Sequence, residues 1–348
     1  MTKPTIQPFV QLGLVLDALS NEHLWPGYSC GLTEEEYAEA QDQLQRIHHH
    51  NGWFTLDACR QMCREWSKLL QEESMNAWLS AYPSPAQSRQ IGLICAGNIP
   101  AVGFHDIVCI LLSGHKALIK LSKDDALLIP MFMRWLCKFE PSLSERFEFV
   151  ERLQNFDAVI ATGSNNSARY FESYFGHVPH IIRKSRTSVA VLSGEETEEE
   201  LHALGLDIFT YFGLGCRNVT KVYMPRGMDI NRLFGAFYAF RDIGMHAKYA
   251  NNYDYNKAVW LLNREDLLDN GFILLKEDEQ LSCPTASLFY SYYENLDTVE
   301  AHLAECRENI QCRVGLGGLK LGSAQQPKWS DYADGVDTMH FLVTLEKK

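Results

Sequence analysis

One cysteine in this chain stands where covalent chemistry could be done. Cys216 follows Gly213 and Gly215 in Tyr211-Phe-Gly-Leu-Gly-Cys216-Arg-Asn-Val-Thr-Lys-Val-Tyr-Met-Pro225 and precedes a β-branched apolar run, Val219 to Met224, that reads as a strand. A thiol in a glycine-flanked loop between a helix and a strand can be reached by a substrate. Its thiolate is a strong nucleophile and a good acyl carrier, so the position suits a covalent thioester or thiohemiacetal. The competing reading is a small buried hydrophobe, a common fate of free cysteine. The other cysteines (Cys30, Cys59, Cys63, Cys95, Cys109, Cys137, Cys283, Cys306 and Cys312) are scattered through predicted helices and strands. Cys59 and Cys63 have no matching second pair, and His48-His49-His50 beside Asn51-Gly52 reads as a solvated helix end, so no metal site is expected.

The elements that would position such chemistry come in two textures. Up to about residue 85 the chain reads as helical. Thr33-Glu-Glu-Glu36 is a capping-box signal for a helix to about His48, and another helix is expected over roughly Thr55 to Ser80 before Pro83-Ser-Pro85 breaks the chain. From Gln90 strands and helices alternate. Strands are expected at Ile91–Cys95, Ala117–Leu121, Phe147–Glu151, Asp157–Ala161, His180–Arg183 and Ser188–Leu192, with helices at Ala101–Leu112, at Asp125–Phe139 and after Thr162-Gly-Ser164. Nearly all-apolar strands in a βαβ rhythm imply a parallel sheet covered on both faces. Ligands of such sheets bind at the carboxyl ends of the strands, where Asn98, Lys120 and Ser164 would project. A final strand is expected at Met339–Leu345 and could pair with a neighbouring copy.

With 348 residues and 46% hydrophobic content the chain can bury two cores rather than one. Mean hydropathy is −0.20, and no apolar run approaches the roughly 20 residues of a membrane span. Met1–Pro8 lacks the regions of a signal peptide, so a cytoplasmic protein with reduced thiols is expected. A net charge of −12, with an acidic run from Glu195 to Glu200, argues against nonspecific nucleic-acid binding and against anionic membrane surfaces. The Asn165 and Asn218 sequons carry no weight in such a compartment. Gly315-Leu-Gly317-Gly318-Leu-Lys-Leu-Gly322 comes late, after a helix, and reads as a loop rather than a dinucleotide fingerprint.

Several segments, in order, resemble the aldehyde dehydrogenase superfamily. Ala96-Gly-Asn98-Ile-Pro100 is similar to its asparagine-bearing loop. Gly114-His-Lys-Ala-Leu-Ile-Lys120-Leu-Ser122-Lys123 resembles the segment whose lysine contacts the adenosine ribose. Thr162-Gly163-Ser164 is similar to the turn against the dinucleotide, Gly213-Leu-Gly215-Cys216 to the loop of the catalytic thiol, and Cys283-Pro284-Thr285 to a later "phe-gly-pro" element. Within the superfamily the closer resemblance is to the acyl-CoA reductase family, which includes the fatty-acid reductases of bacterial luminescence. It is carried by Gly97-Asn98-Ile-Pro100, Arg183–Leu192, Phe212–Val219 and Tyr332-Ala-Asp-Gly335, and covers roughly residues 90 to 345.

The resemblance implies an α/β, aldehyde-dehydrogenase-like fold with two Rossmann-like parallel-sheet lobes. Residues 1–85 would be a helical segment, 86–193 the dinucleotide lobe, 194–329 the thiol lobe, and 330–348 a terminal strand segment for oligomerisation. It also implies an NAD(P)H-dependent acylating aldehyde dehydrogenase. Cys216 would attack an acyl thioester (acyl-CoA or acyl-carrier protein), with Asn98 and the Cys216 N–H holding the oxyanion. Hydride delivery would then release the aldehyde. Lys120, with Ser122 or Lys123, and the Gly163-Ser164 turn would hold the cofactor, and the local positive charge favours NADPH over NADH. The hydrolytic members have a water-activating glutamate that would fall near Ile182, where no carboxylate stands. Glu195-Glu196 lies too far along to replace it. The cofactor-ribose glutamate would fall at Glu279 or Gln280.

Each residue keeps a plainer alternative. Asn98 and Ser164 could cap helices, Lys120 could be a surface lysine, and Arg217 could either lower the thiol pKa or face solvent. His105 and His246 read as packing residues, and Lys248–Lys257 could line an acyl or pantetheine channel. Reduction of an acyl phosphate, another dehydrogenase-type reaction, and a non-catalytic cofactor-binding scaffold remain the rival functions. A homo-oligomer is expected.

Overall fold

The protein is described by a computed structural model over residues 5–21, 24–83 and 87–345. The expectations for Met1–Pro4 and for the Ser84-Pro85 break lie outside those residues. The chain divides into two compact units, Met1–Lys184 with Lys328–Lys348, and Ser185–Pro327.

The first unit opens with four helices, α1 (Gln7–Ser20), α2 (Glu34–Arg46), α3 (Leu56–Leu69) and α4 (Glu72–Leu79). Thr33 and Glu36 close the capping box on α2. In α3 the residues Ala58, Cys59, Met62, Cys63 and Trp66 form one buried stripe at helical spacing. The single helix expected over Thr55–Ser80 is two. Leu70 leaves helical geometry to pack on α1, where a Cβ on Gly13 would lie 2.9 Å from that of Leu70. Glu72 and Glu73 then favour a new N-terminus.

Alternating elements follow: β1 (Gln90–Ile94), α5 (Phe104–Leu112), β2 (Lys116–Lys120), α6 (Leu128–Phe139), β3 (Phe147–Phe149), β4 (Ala158–Thr162), α7 (Asn165–Phe175) and β5 (His180–Arg183). Their strands form one all-parallel sheet in the order β3-β2-β1-β4-β5. Successive connections run outward from β1 in one direction and then restart at β4 in the other. The β1/β4 boundary is therefore the switch point at which such sheets open a crevice.

The second unit comprises β6 (Thr187–Val191), α8 (Glu198–Phe209), β7 (Val219–Pro225), α9 (Asn231–Phe237), α10 (Ala247–Leu262), β8 (Leu268–Asp269), β9 (Leu274–Glu277), β10 (Ser287–Tyr293), α11 (Leu296–Glu305) and β11 (Ile310–Gly315). The sheet order is β11-β6-β7-β10-β9-β8, parallel except for β8. One face buries Ala190, Val222, Met224 and Leu288 with Leu201, Leu204 and Ile208 of α8. The other buries Val189, Val191 and Tyr223 with Val299 and Leu303 of α11. The lobe boundary expected at 193/194 falls at 184/185, because β6 is hydrogen-bonded between β11 and β7. The glycine-rich stretch is indeed a loop. Gly315 (φ +81°) lets the backbones approach so closely that a Cβ there would sit 2.2 Å from the Val191 carbonyl oxygen.

The last element corrects an expectation. Met339–Leu345 is not a strand but α12 (Thr338–Val343), a helix. Asp337 caps it by accepting the His340 N–H at 2.8 Å, and Met339 and Leu342 bury at helical spacing. The argument for strand pairing with a neighbouring copy falls with it. In the first unit Trp329 stacks on Trp78, with centroids 4.4 Å apart, and donates its indole N–H to the Leu69 carbonyl at 2.8 Å. Trp78 donates to the Tyr332 hydroxyl at 2.8 Å. Arg183, in a buried ion pair with Asp106, donates to the Thr338 hydroxyl at 2.8 Å. No helix among the described residues is long and apolar enough to cross a membrane.

Candidate active site

In the second unit α8 ends at Phe209 and two tight turns lead into β7. The first closes with Leu214 donating to the Tyr211 carbonyl at 3.1 Å. Its corner residues, Phe212 (φ +59°) and Gly213 (φ +76°), are left-handed, as is Tyr211 (φ +53°). Left-handed backbone costs a non-glycine residue roughly 1–2 kcal/mol, so the surroundings must enforce it. The second turn closes with Asn218 donating to the Gly215 carbonyl at 3.0 Å, which places Cys216 and Arg217 at its corner.

The enforcing residue is Asn218, fully buried. Its Oδ1 accepts the Gly215 N–H at 2.8 Å. Its Nδ2 donates to the carbonyls of Asp207, Ile208 and Thr210 at 3.1, 3.2 and 2.8 Å. One amide thus ties the end of α8 to the thiol turn. From β6, Ser188 donates to the Cys216 carbonyl at 3.0 Å and accepts the Cys312 N–H at 3.2 Å. Cys216 is half-buried, unlike the buried Cys30, Cys59, Cys63, Cys95 and Cys109. Cys137, Cys283, Cys306 and Cys312 are half-buried as well, so the built turn, not exposure, sets Cys216 apart.

Arg217 is not directed into solvent: its Nε donates to the Ala324 carbonyl. Asp207, fully buried, accepts the Gly322 and Ala324 N–H groups at 2.7 and 2.8 Å. Burial pushes its carboxyl up to about 6, against the pull of those two donors and the Arg217 charge. Beside the first turn lies a cavity of about 50 Å³, lined among others by Phe212, Gly213, Tyr249, Cys283 and Pro284. The Lys248–Lys257 run is helical, and of it only Tyr249 lines this cavity. Cys283 donates to the Ser287 carbonyl at 3.0 Å, and burial pushes its thiol up to about 11, so it is an inert neighbour.

In the first unit Asn98, Lys120, Ser122, Gly163 and Ser164 all follow or end the adjacent central strands β2, β1 and β4 at their carboxyl ends. Ile94 pairs with Lys120 on one side and with Ala161 on the other. Asn98 is exposed in the loop after β1, and a Cβ on Gly97 would lie 2.6 Å from the Ser122 hydroxyl, so the two loops are in van der Waals contact. Lys120 is exposed and forms no ion pair among the described residues. Ser122 and Ser164 act as caps, accepting the Asp124 and Ser167 N–H groups, each at 3.2 Å. Gly163 lets α7 close in, for a Cβ there would lie 2.8 Å from that of Ser167. A parallel switch point, an unengaged lysine at the end of β2 and a helix N-terminus after β4 together fit a dinucleotide.

Three further placements bear on the chemistry. Ile182 lies in β5 with no carboxylate at its position. Glu196 is consumed locally, accepting the Ser193 and Gly194 N–H groups at 2.6 and 3.0 Å. Glu279 is exposed and accepts the Ser291 hydroxyl at 3.3 Å. The sequence reading missed Asn218, Asp207 and Ser188. Asn218 carried a usable signal, since asparagine at the end of a glycine-led four-residue turn can bond back to its own backbone. Asp207 and Ser188 bond far along the chain and carried none.

Residues 56–232 match the family model described as acyl-CoA reductase (LuxC). Solved structures share the fold. An aldehyde dehydrogenase 21 from Physcomitrella patens, in complex with the reaction product succinate, superposes with a TM-score of 0.62 at 11% identity, over 96% of this chain and 84% of that one. A NAD-dependent benzaldehyde dehydrogenase from Corynebacterium glutamicum gives 0.61 at 10%, over 90% and 76%. The indole-3-acetaldehyde dehydrogenase AldA of P. syringae, a mutant in complex with NAD+ and IAA, gives 0.60 at 10%, over 92% and 74%. No curated protein matches the chain.

Proposed function

Because the chain belongs to the acyl-CoA reductase (LuxC) family and has the aldehyde dehydrogenase fold, we propose that this oxidoreductase converts an acyl thioester to an aldehyde through acyl-Cys216. The observation that carries the reading is the braced thiol turn, in which a buried asparagine and a buried serine fix the backbone on both sides of Cys216.

In this reading the Cys216 thiolate attacks the thioester carbonyl. The side-chain amide of Asn98 and the Cys216 N–H stabilise the oxyanion; losing one such donor typically costs ~10²–10³ in rate. The tetrahedral adduct collapses with loss of coenzyme A or a carrier-protein thiol, which takes up a proton. The nicotinamide, when bound, supplies hydride to the acyl carbon. The resulting thiohemiacetal on Cys216 gives up its hydroxyl proton, breaks its C–S bond, and leaves free aldehyde and thiolate. With an aliphatic side chain at Ile182, no carboxylate activates water there, so the acyl group persists for reduction rather than hydrolysis. Lys120, with Ser122, Gly163 and Ser164 nearby, supports binding of the adenosine end, and an uncompensated lysine favours the 2′-phosphate of NADPH.

The test is intact mass after mixing with an acyl-CoA and no cofactor. One added acyl group is expected in the wild type and none in Cys216→Ala, with NADPH oxidation in the wild type alone. Turnover by Cys216→Ala would overturn the assignment.

A further inference from the structure

The turn after β2 holds a carboxylate that the mechanism does not use. Asp125 is buried, and its Oδ2 accepts the N–H of Ala101 at 2.7 Å. Ala101 closes the Asn98 loop and is itself left-handed (φ +54°), a conformation alanine does not hold unaided. The start of the loop is pinned by the Cys95 N–H donating to the Lys120 carbonyl at 3.0 Å, and its middle rests on Ser122 through Gly97.

The two sides of this junction are not held alike. The turn carrying Asp125 is braced from the helical segment: His50 Nε2 lies 2.8 Å from the Lys123 carbonyl, and Asn51 donates to the Asp124 carbonyl at 3.1 Å. Those bonds persist if Asp125 is truncated. The far end of the Asn98 loop has the Asp125 carboxylate as its anchor.

We propose that Asp125 is a positioning residue that locks the Asn98 loop onto the turn following β2, and so fixes the aim of the Asn98 amide. The functional half rests on the reading of Asn98 as oxyanion donor; the structural half does not. Burial pushes the Asp125 carboxyl up to about 6, with the Ala101 N–H, the Leu128 N–H and the His50 charge pulling it back. The other titratable groups that feel it are the thiols of Cys59 and Cys95, both held protonated by burial. Aspartate at this site is therefore kept at an electrostatic cost, consistent with a positional role rather than a stabilising one.

Two measurements test it. Amide hydrogen exchange in Asp125→Ala is expected to quicken at least tenfold over residues 97–101, while residues 116–124, braced by His50 and Asn51, exchange as in the wild type. Unchanged exchange over 97–101, or equal quickening of both segments, overturns the lock. The second is a double-mutant cycle on acyl uptake from acyl-CoA. Asn98→Ala and Asp125→Ala are each expected to slow it, and the double variant to be no slower than Asn98→Ala within about threefold. Multiplying effects overturn the positioning role. A wild type that takes up no acyl group overturns the reductase reading, while the exchange result still decides the lock. If Asp125→Ala does not fold, Asp125→Leu, which fills the same buried site and has no acceptor oxygen for the Ala101 N–H, carries both measurements with the same expectations.

Discussion

Replacing Asn218 is the sharpest test of how the thiol turn is built. The side chain offers two N–H donors shared among three carbonyls and one oxygen for the Gly215 N–H. Asn218→Ala therefore removes up to three hydrogen bonds, at about 1 kcal/mol each, and strands buried backbone groups. A loss of about 3 kcal/mol in holding the turn corresponds to about a 10²-fold fall in the population with Cys216 correctly placed. Asn218→Asp keeps the acceptor for Gly215 but turns its second oxygen toward the three carbonyls, so it should be no better than alanine. The assay is the rate of acyl uptake by Cys216 from acyl-CoA without cofactor, followed by intact mass, beside a thermal melt. Acylation within threefold of the wild type, in a variant whose melting temperature has dropped, would show that Asn218 supports the fold but not the nucleophile.

Other perturbations have equally definite outcomes. Asp125 and Asp207 both have folded pKa values raised from 3.8 to about 6, so the stability each allows is complete below pH 4 and is lost as pH rises through about 6. Two units correspond to about 3 kcal/mol per group, and denaturant midpoints for Asp207→Asn should fall less steeply between about pH 4 and 6.5 than those of the wild type. Gly315→Ala places a Cβ 2.2 Å from the Val191 carbonyl at a positive φ and should destabilise the second unit by about 3 kcal/mol, read as a denaturant midpoint shift. Brief iodoacetamide treatment of the native protein should label Cys216 before Cys59, Cys63, Cys95 and Cys109, whose thiols are buried and held protonated, as peptide mapping would show. Arg183→Met leaves the Asp106 carboxylate buried and unpaired, and should cost about 3–5 kcal/mol in the first unit, measured by chemical denaturation.

The alternation of apolar strands with helices between Gln90 and Leu192 was legible because both periods are strong and the turns are marked by glycine or serine. The strands expected there differ from the observed ones by two residues at most. The terminal segment was misread for a physical reason: Met339, Phe341, Leu342 and Val343 suit a strand or a buried helix, and the deciding feature is the Asp337 cap. The assignment of β6 to the second sheet depends on its pairing with β7 and with β11, the latter more than a hundred residues away, which no local pattern encodes. At the thiol turn the residue types announced themselves, whereas the bracing did not. Asn218 and Ser188 look like ordinary strand-end polar residues until their carbonyl partners are known.

The discontinuity of the first unit has a consequence for how the chain comes to be folded. Ser185–Pro327 is one uninterrupted stretch and can mature while later residues are still being synthesised. The five-stranded sheet cannot. Trp78, Arg183 and His115 find their partners Tyr332, Thr338 and the Leu342 carbonyl only when the end of the chain arrives. Until then a tryptophan face and a buried arginine stand open to water, and the first unit is the last to be sealed.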